Sequence, residues 1–325
     1  MSYQGLEVLI TGGAGFIGSA IARRLVRLGA HVTLIDSLLP EYGGNLANLA
    51  DIRDAVHLNI SDVRDSHGMR FLVQGKHLIF NLAGQTSHMD SMADPFTDLE
   101  INSRAQLAIL EAIRHYNPEA RIVFASTRQI YGRPDYLPVD EAHPKRPVDV
   151  NGINKIAGED YHLLYHDVYG LQTCALRLTN TYGPGMRIKD ARQTFLGIWI
   201  RRLLEGQPFE VWGGTQLRDL NYVDDVVEAF LSIAEEPRAF GQVFNLGSDE
   251  VVSLEELAQA LVRVAGSGRF EVRQFPADRK KIDIGDYYSD FKKIHGLIGW
   301  RPETRLAEGL SRTVAYFRDK LGDYT

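Results

Sequence analysis

Eight residues near the start of the chain, Thr11-Gly-Gly-Ala-Gly-Phe-Ile-Gly18, narrow its folding choices more than any other stretch. They lie between a β-rich run, Leu6–Thr11, and a run in which Ile17, Ile21, Leu25 and Leu28 recur at helical spacing while Arg23, Arg24 and Arg27 fall largely off the stripe. Gly12, Gly15 and Gly18 have the spacing G-x-x-G-x-x-G. The missing side chains permit a tight turn, let backbone N–H groups approach a pyrophosphate, and seat the helix close to the sheet. The start of that helix favours anionic phosphates, which makes Phe16 and Ile17 cofactor-facing candidates beside the glycines. The next β-rich run, His31–Asp36, ends in a carboxylate eighteen residues after Gly18. A carboxylate there accepts both ribose hydroxyls of NAD and repels the 2′-phosphate of NADP.

The same alternation continues through the first half. Ala55–Ile60, His77–Leu82, Arg121–Ser126 and Thr173–Leu178 have strand character, and Asp98–His115 has helical periodicity. Strands alternating with helices predict an α/β, Rossmann-like, doubly wound parallel sheet covered on both faces. After about residue 180 the alternation loosens around Gly183-Pro-Gly185, Gly206-Gln-Pro208 and Gly213-Gly214. The expected division is therefore a dinucleotide-binding domain over 1–178, with parts of 215–250, and a smaller substrate-binding lobe formed mainly by 179–325. Ligands of such sheets bind at the carboxyl edge of the strands. Asp62 and Val63 end the third strand, with Asp62 placed to accept from an adenine amino group. Leu82, Ala83 and Gln85 follow the fourth, where a turn of small residues lets backbone touch the middle of the cofactor.

Composition removes other classes. The 325 residues carry 36 basic and 42 acidic side chains, a formal charge of −6 with no long basic run, which argues against nucleic acid or an anionic membrane as the main partner. Cys174 is the single cysteine, so no intrachain disulfide and no cysteine-based zinc site can form. Its apolar surroundings predict a buried thiol. No histidine and carboxylate cluster has metal-ligand spacing, and no Gly-x-Ser-x-Gly nucleophile elbow is present. No stretch of about 18 apolar residues occurs, and the polar start is no signal peptide, so a cytoplasmic location is expected.

Beyond the glycine turn, further motifs run nearly end to end: Ser126-Thr-Arg-Gln-Ile-Tyr-Gly132, the Lys155–Glu159 helix, Arg177-Leu-Thr-Asn-Thr-Tyr-Gly-Pro184, Gln216-Leu-Arg-Asp-Leu-Asn-Tyr-Val-Asp-Asp225 and Val243-Phe-Asn-Leu-Gly247. With them the sequence resembles the extended short-chain dehydrogenase/reductase family, in its nucleotide-sugar epimerase and dehydratase branch. The resemblance implies oxidation of a sugar hydroxyl, usually at C4, by bound NAD. In that family a tyrosine four residues before a lysine takes the proton, and a serine or threonine holds the oxygen. The lysine stands here as Lys155 and the hydroxyl residue as Thr127.

The tyrosine position holds Asn151, in Asn151-Gly-Ile-Asn-Lys155. An amide donates and accepts hydrogen bonds but takes up no proton near neutral pH, and a positioned acid–base group is worth about 10²–10⁴-fold in rate. Three explanations stand side by side: a substitution made to trap a complex, a natural variant in which Lys155, Thr127 through a water, or His88 takes the proton, and an NAD-binding protein without turnover. Asn154, where the family commonly has serine, favours natural divergence. The dehydratases carry Asp-Glu directly after the serine or threonine, and here the pair is Arg128-Gln129, which disfavours 4,6-dehydration. Arg128 is either a structural arginine or a fork for an anionic substituent such as a sugar carboxylate.

At the substrate end, the resemblance implies Arg218 and Arg279 as diphosphate ligands, Asn180 and Ser91 as sugar-pocket residues, and His88 as facing nicotinamide and sugar. Lys189 and Arg192 are further candidates for the nucleotide. The leading expectation is an NAD-dependent UDP-sugar 4-epimerase. The alternatives are another fate of a 4-keto sugar (decarboxylation, dehydration, C4 oxidation or reduction) and a silent binding protein. The family implies a homodimer built through the Asp98–His115 and Asn151–Tyr169 helices.

Overall fold

Six strands, β1 (Glu7–Thr11), β2 (His31–Asp36), β3 (Val56–Ile60), β4 (Leu78–Asn81), β5 (Arg121–Thr127) and β6 (Gln172–Leu178), and a seventh, Val243–Asn245, form one all-parallel sheet in the computed structural model. The structure describes residues 3–325 other than 193, 277–279 and 281. From one edge the order is Val243–Asn245, β6, β5, β4, β1, β2, β3, so the chain reverses direction of winding between β1 and β4. That reversal opens a crevice at the carboxyl edge, the usual ligand position in such sheets.

Strand alternation assigns the two faces. Val8 and Ile10 point to the layer that contains α1 (Phe16–Arg27) and the helix Val223–Ala234, with Ile21, Leu25, Val226 and Phe230 buried against them. Leu9, Ile79 and Ile122 point the other way. They meet Met69 of α2 (Ser66–Leu72), Ile109, Leu110 and Ile113 of α5 (Ala105–Tyr116), and Tyr165 of α6 (Val150–Tyr169). Cys174 is buried and its thiol is pushed up to about 12 by desolvation, as expected of a core residue.

The run expected as one helix over Asp98–His115 begins earlier and is not uniform. Short helices α3 (His88–Ala93) and α4 (Pro95–Leu99) precede a π-turn over Glu100–Arg104, from which α5 continues. Asp94 caps α4 by accepting from the Thr97 N–H, and Pro95 fills the first helical position, where no N–H is needed. The π-turn turns Asn102 inward, where its amide donates to the Gln85 carbonyl at 2.9 Å.

Beyond β6 the chain builds a second layer over the carboxyl edge. Strands Val251–Ser253, Leu217–Tyr222 and Asn180–Tyr182 form a small mixed sheet, and Phe209–Trp212 pairs with Phe270–Arg273. Helices Phe195–Leu204, Leu254–Ala265 and Leu306–Lys320 close a second core of Trp199, Leu257, Leu261 and Phe317 around them. No helix among the described residues is long and apolar enough to cross a membrane.

Candidate functional site

A cleft of about 440 Å³ runs along the carboxyl edge from the glycine turn to the small lobe. At its first end the walls are backbone. Gly12 has φ +69°, and a Cβ there would lie 3.1 Å from the Ala83 nitrogen. A Cβ on Gly18 would fall 2.2 Å from the Gly12 carbonyl oxygen. Positions 12 and 18 therefore admit no side chain, and the space so kept stands open in the cleft. Gly15 is the N-cap of α1 and supplies no side-chain bond, and the first turn holds no acidic residue. Its free N–H groups and the positive end of its dipole suit a pyrophosphate.

Asp36 at the end of β2 accepts from the Ala14 N–H at 3.0 Å and the Leu38 N–H at 2.9 Å. Burial nevertheless pushes its carboxyl above the ordinary range. Thr11 accepts from the Leu82 and Ala83 N–H groups while donating to Asn81, which fixes the turn after β4 opposite the glycines. Phe16, Ile17, Asp62, Val63, Leu82 and Ala83 all line the cleft, as expected. Asp62 is held by Arg64 through Nε and Nη2, which keeps its carboxyl low.

Two expected ligands are not brought to the cleft. Gln85 is 2% exposed and Ser91 fully buried, and neither is part of the wall. After Gly84 the chain turns into α3, capped by Ser87. This aims Gln85 inward, with its Nε2 on the Ser87 carbonyl, and Ser91 toward α6, with its Oγ on the His88 carbonyl. The loop does line the site, but through Thr86 and His88.

At the middle of the cleft Lys155 is buried, donating to the Ala125 carbonyl at 3.0 Å and lying over the Phe124 ring. Desolvation pulls its ammonium down to about 8, against the attraction of Asp98 and Glu159. Thr127 lines the same wall. Asn151 is held from behind: its amide donates to the Gln85 carbonyl at 2.8 Å and to Asp98 Oδ2 at 3.0 Å, and Asn154 donates to Asp98 Oδ1 at 2.7 Å. The two asparagines thus share one buried carboxylate. Asparagines three apart on one helix face were a signal for a common partner, but nothing in the sequence pointed to Asp98.

Near this network stands a histidine with an oriented ring. Asp149, the N-cap of α6, accepts from the Gly152 N–H and from His88 Nδ1 at 2.6 Å. Burial would raise the Asp149 carboxyl, but the His88 bond and the Gly152 N–H hold it below the usual range. A carboxylate that only accepts calls for a proton on Nδ1, so in the neutral ring Nε2 is the acceptor. His88 is partly exposed and lines the cleft together with Thr127, Asn151 and Lys155. Tyr131, the tyrosine nearest Thr127 in sequence, is no substitute. It is buried, donates to Asn245, accepts from Arg177 Nη1, and has its phenol pushed upward by desolvation.

A buried ion pair stiffens the floor. Arg177 bonds Glu159 through Nη2 at 2.6 Å and Nε at 2.9 Å, and Ser126 donates to the same carboxylate. Removing one partner of such a pair typically costs about 3–5 kcal/mol.

The far end is arginine-rich. Arg128, Asn180 and Arg218 all line the cleft, and Arg128 and Arg218 also line an adjoining hollow of about 370 Å³. Burial, with Arg128 nearby, lowers Arg218 to about 10. Arg192 lines both spaces and pairs with Asp90 at 3.5 Å, whereas Lys189 is exposed and outside the wall. Arg279 lies outside the described residues.

Residues 8–247 match the model of the NAD dependent epimerase/dehydratase family. The chain is 32% identical over 317 residues to a UDP-glucose 4-epimerase of Mycolicibacterium smegmatis, covering 97% of this chain and 99% of that protein. It is 31% identical over 324 residues to a dTDP-glucose 4,6-dehydratase of Streptomyces niveus, covering 97% and 93%. Among solved structures it resembles a UDP-glucose 4-epimerase of Thermotoga maritima with UDP-glucose, at 30% identity and TM-score 0.88 over 97% of this chain and 100% of that one.

Proposed function

The chain belongs to the NAD dependent epimerase/dehydratase family, and within it we propose a nucleotide-sugar 4-epimerase that works without the usual tyrosine. Relatives of both activities are similarly close, so the choice rests on the sugar end of the cleft. Dehydration needs an acid beside the departing hydroxyl. Among the described residues that line the cleft, the carboxylates Asp36 and Asp62 stand at the adenosine end; Asp283 lines the adjoining hollow and pairs with Arg218 at 3.8 Å, and Thr127 is followed by Arg128 and Gln129. That absence of a carboxyl group beside Thr127 carries the reading.

The residues divide the work as follows. Gly12, Gly15, Gly18 and Asp36 hold NAD, with Phe16, Ile17, Asp62, Val63, Leu82 and Ala83 packed along it. NAD, when bound, supplies the acceptor and later the donor of the C4 hydride. Thr127 bonds the C4 oxygen, and His88 Nε2, oriented by Asp149, takes its proton. The Lys155 ammonium holds the nicotinamide ribose and favours negative charge on that oxygen. Arg218, with Arg279, holds the diphosphate of a nucleotide sugar, UDP by preference, and Asn180 contacts the substrate. Asn151 and Asn154 position the helix start through Asp98 rather than react.

The test is incubation with UDP-, dTDP-, GDP- and CDP-sugars, following absorbance near 340 nm and products by NMR. C4 epimers are expected. A 4-keto-6-deoxy product overturns the epimerase reading, and binding without any product favours the silent alternative. Exposed Ile153, Leu164 and Val168 share one face of α6, which supports a homodimer, and light scattering that returns a monomer overturns that part.

A further inference from the structure

The guanidinium of Arg128 is buried without a counter-ion. The residue is 8% exposed and forms no ion pair among the described residues; Asp283, one of the two acids near it, pairs with Arg218 at 3.8 Å instead. Asp219, one of the acidic residues near it, is spent on Thr179 Oγ1 at 2.5 Å and the Ser289 N–H at 2.9 Å. Nη2 donates to Asn180 Oδ1 at 3.0 Å, and the Tyr287 ring centroid lies 5.0 Å from the group. Nη1 has no partner. Nor do the neighbouring Asn180 Nδ2 and Arg218 Nε. Three residues that line one cleft thus each keep a buried donor without a partner. Buried polar groups are ordinarily satisfied, and a buried charge is ordinarily paired. A site that leaves them open is built for a group that arrives with the ligand.

We propose that Arg128 is a specificity-determining residue that binds a carboxylate carried by the sugar itself, so that the substrate is a nucleotide-linked hexuronate rather than a neutral hexose. The inference rests on the functional reading above and deepens it. Arg128 directly follows Thr127, the residue placed at the C4 oxygen, at the end of β5. The carboxylate of a hexuronate is attached to C5, the ring carbon next to C4. A planar guanidinium held by an aromatic face and one amide presents its remaining N–H groups as a fork, the geometry that suits a carboxylate. The other anion of a nucleotide sugar, its diphosphate, is the rival occupant, and Arg218 alone is assigned to it among the described arginines.

Calorimetric titration of the NAD-loaded protein with UDP, UDP-glucose and UDP-glucuronate, and with the dTDP counterparts, separates the two anions. The wild-type chain is expected to bind the glucuronate at least tenfold more tightly than the glucose conjugate. Arg128→Met should remove that advantage and change binding of the free nucleotide and the glucose conjugate by less than threefold, while Arg128→Lys should restore part of it. The ligand-free Arg128→Met protein should melt no lower than the wild type, because an unpaired buried charge has been removed. A uniform loss across free nucleotide and both conjugates assigns Arg128 to the diphosphate and overturns the proposal, as does an Arg128→Met protein that melts lower and keeps its preference. Binding of nucleotide with no preference for the uronate overturns the proposal alone. Failure of every nucleotide to bind overturns the functional reading and the proposal with it.

Discussion

The two ends of the cleft are made of different materials. At the glycine turn the surface is backbone: a Cβ-free loop, an uncapped helix start and one carboxylate already bonded to two N–H groups. At the sugar end it is long side chains, with buried donors of Arg128, Asn180 and Arg218 lacking partners. The first end is complete before its ligand arrives and tolerates almost no change of shape. The second is incomplete and takes its final energetics from what enters. A shared cofactor and a variable substrate call for that contrast, since a preformed backbone cradle reads only the common part.

The largest expected effect tests the rigid end. Gly18→Val drives side-chain atoms into the Gly12 carbonyl oxygen, which a Cβ would already approach to 2.2 Å. The variant should retain no NAD on purification and show no uptake in a fluorescence titration, and one that binds NAD normally breaks the account of the turn. The next tests the seam between the ends. His88→Asn and Asp149→Asn should each lower kcat by about a hundredfold to ten-thousandfold with substrate Kd little changed, measured in single-turnover mixing. Asn151→Tyr should bring no gain, because Asn151 holds Asp98 and Gln85, and a tenfold rise in kcat would return the proton to that position.

The smallest effect is one of pH. Lys155 sits near 8 through burial, and in the proposed function its cationic form holds the nicotinamide ribose. Deprotonation therefore removes function: kcat/KM should fall as pH rises through about 8, by up to about tenfold per unit beyond it, and the limb should vanish in Lys155→Met. A limb that rises through the same range identifies neutral Lys155 as the proton acceptor instead of His88.

How far the sequence showed this molecule depends on the distance between partners. The β1–turn–α1 unit and Asp36 fall within thirty residues of one another and follow from local sterics, so their placement was legible. The six main strands came within a residue or so at their ends for the same reason. Asp98 lies 53 residues from Asn151 and 56 from Asn154, and no periodicity connects them. Gln85 and Ser91 were misplaced because the direction of a loop is set by where the next helix starts, and the Ser87 cap turns both inward. The π-turn at Glu100–Arg104 has no composition of its own, since an inserted residue leaves the helical pattern almost intact. Arg128 was visible as an oddity, but its lack of a counter-ion is a property of burial, which only the fold supplies.

Asp149 has one consequence that reaches past its own hydrogen bonds. The same carboxylate ends the loop, starts α6 and steers the His88 ring. A substitution there both frays the segment that carries Lys155 and sets the imidazole spinning. In the proposed function, proton removal by His88 and the placement of Lys155 thus depend on one carboxylate.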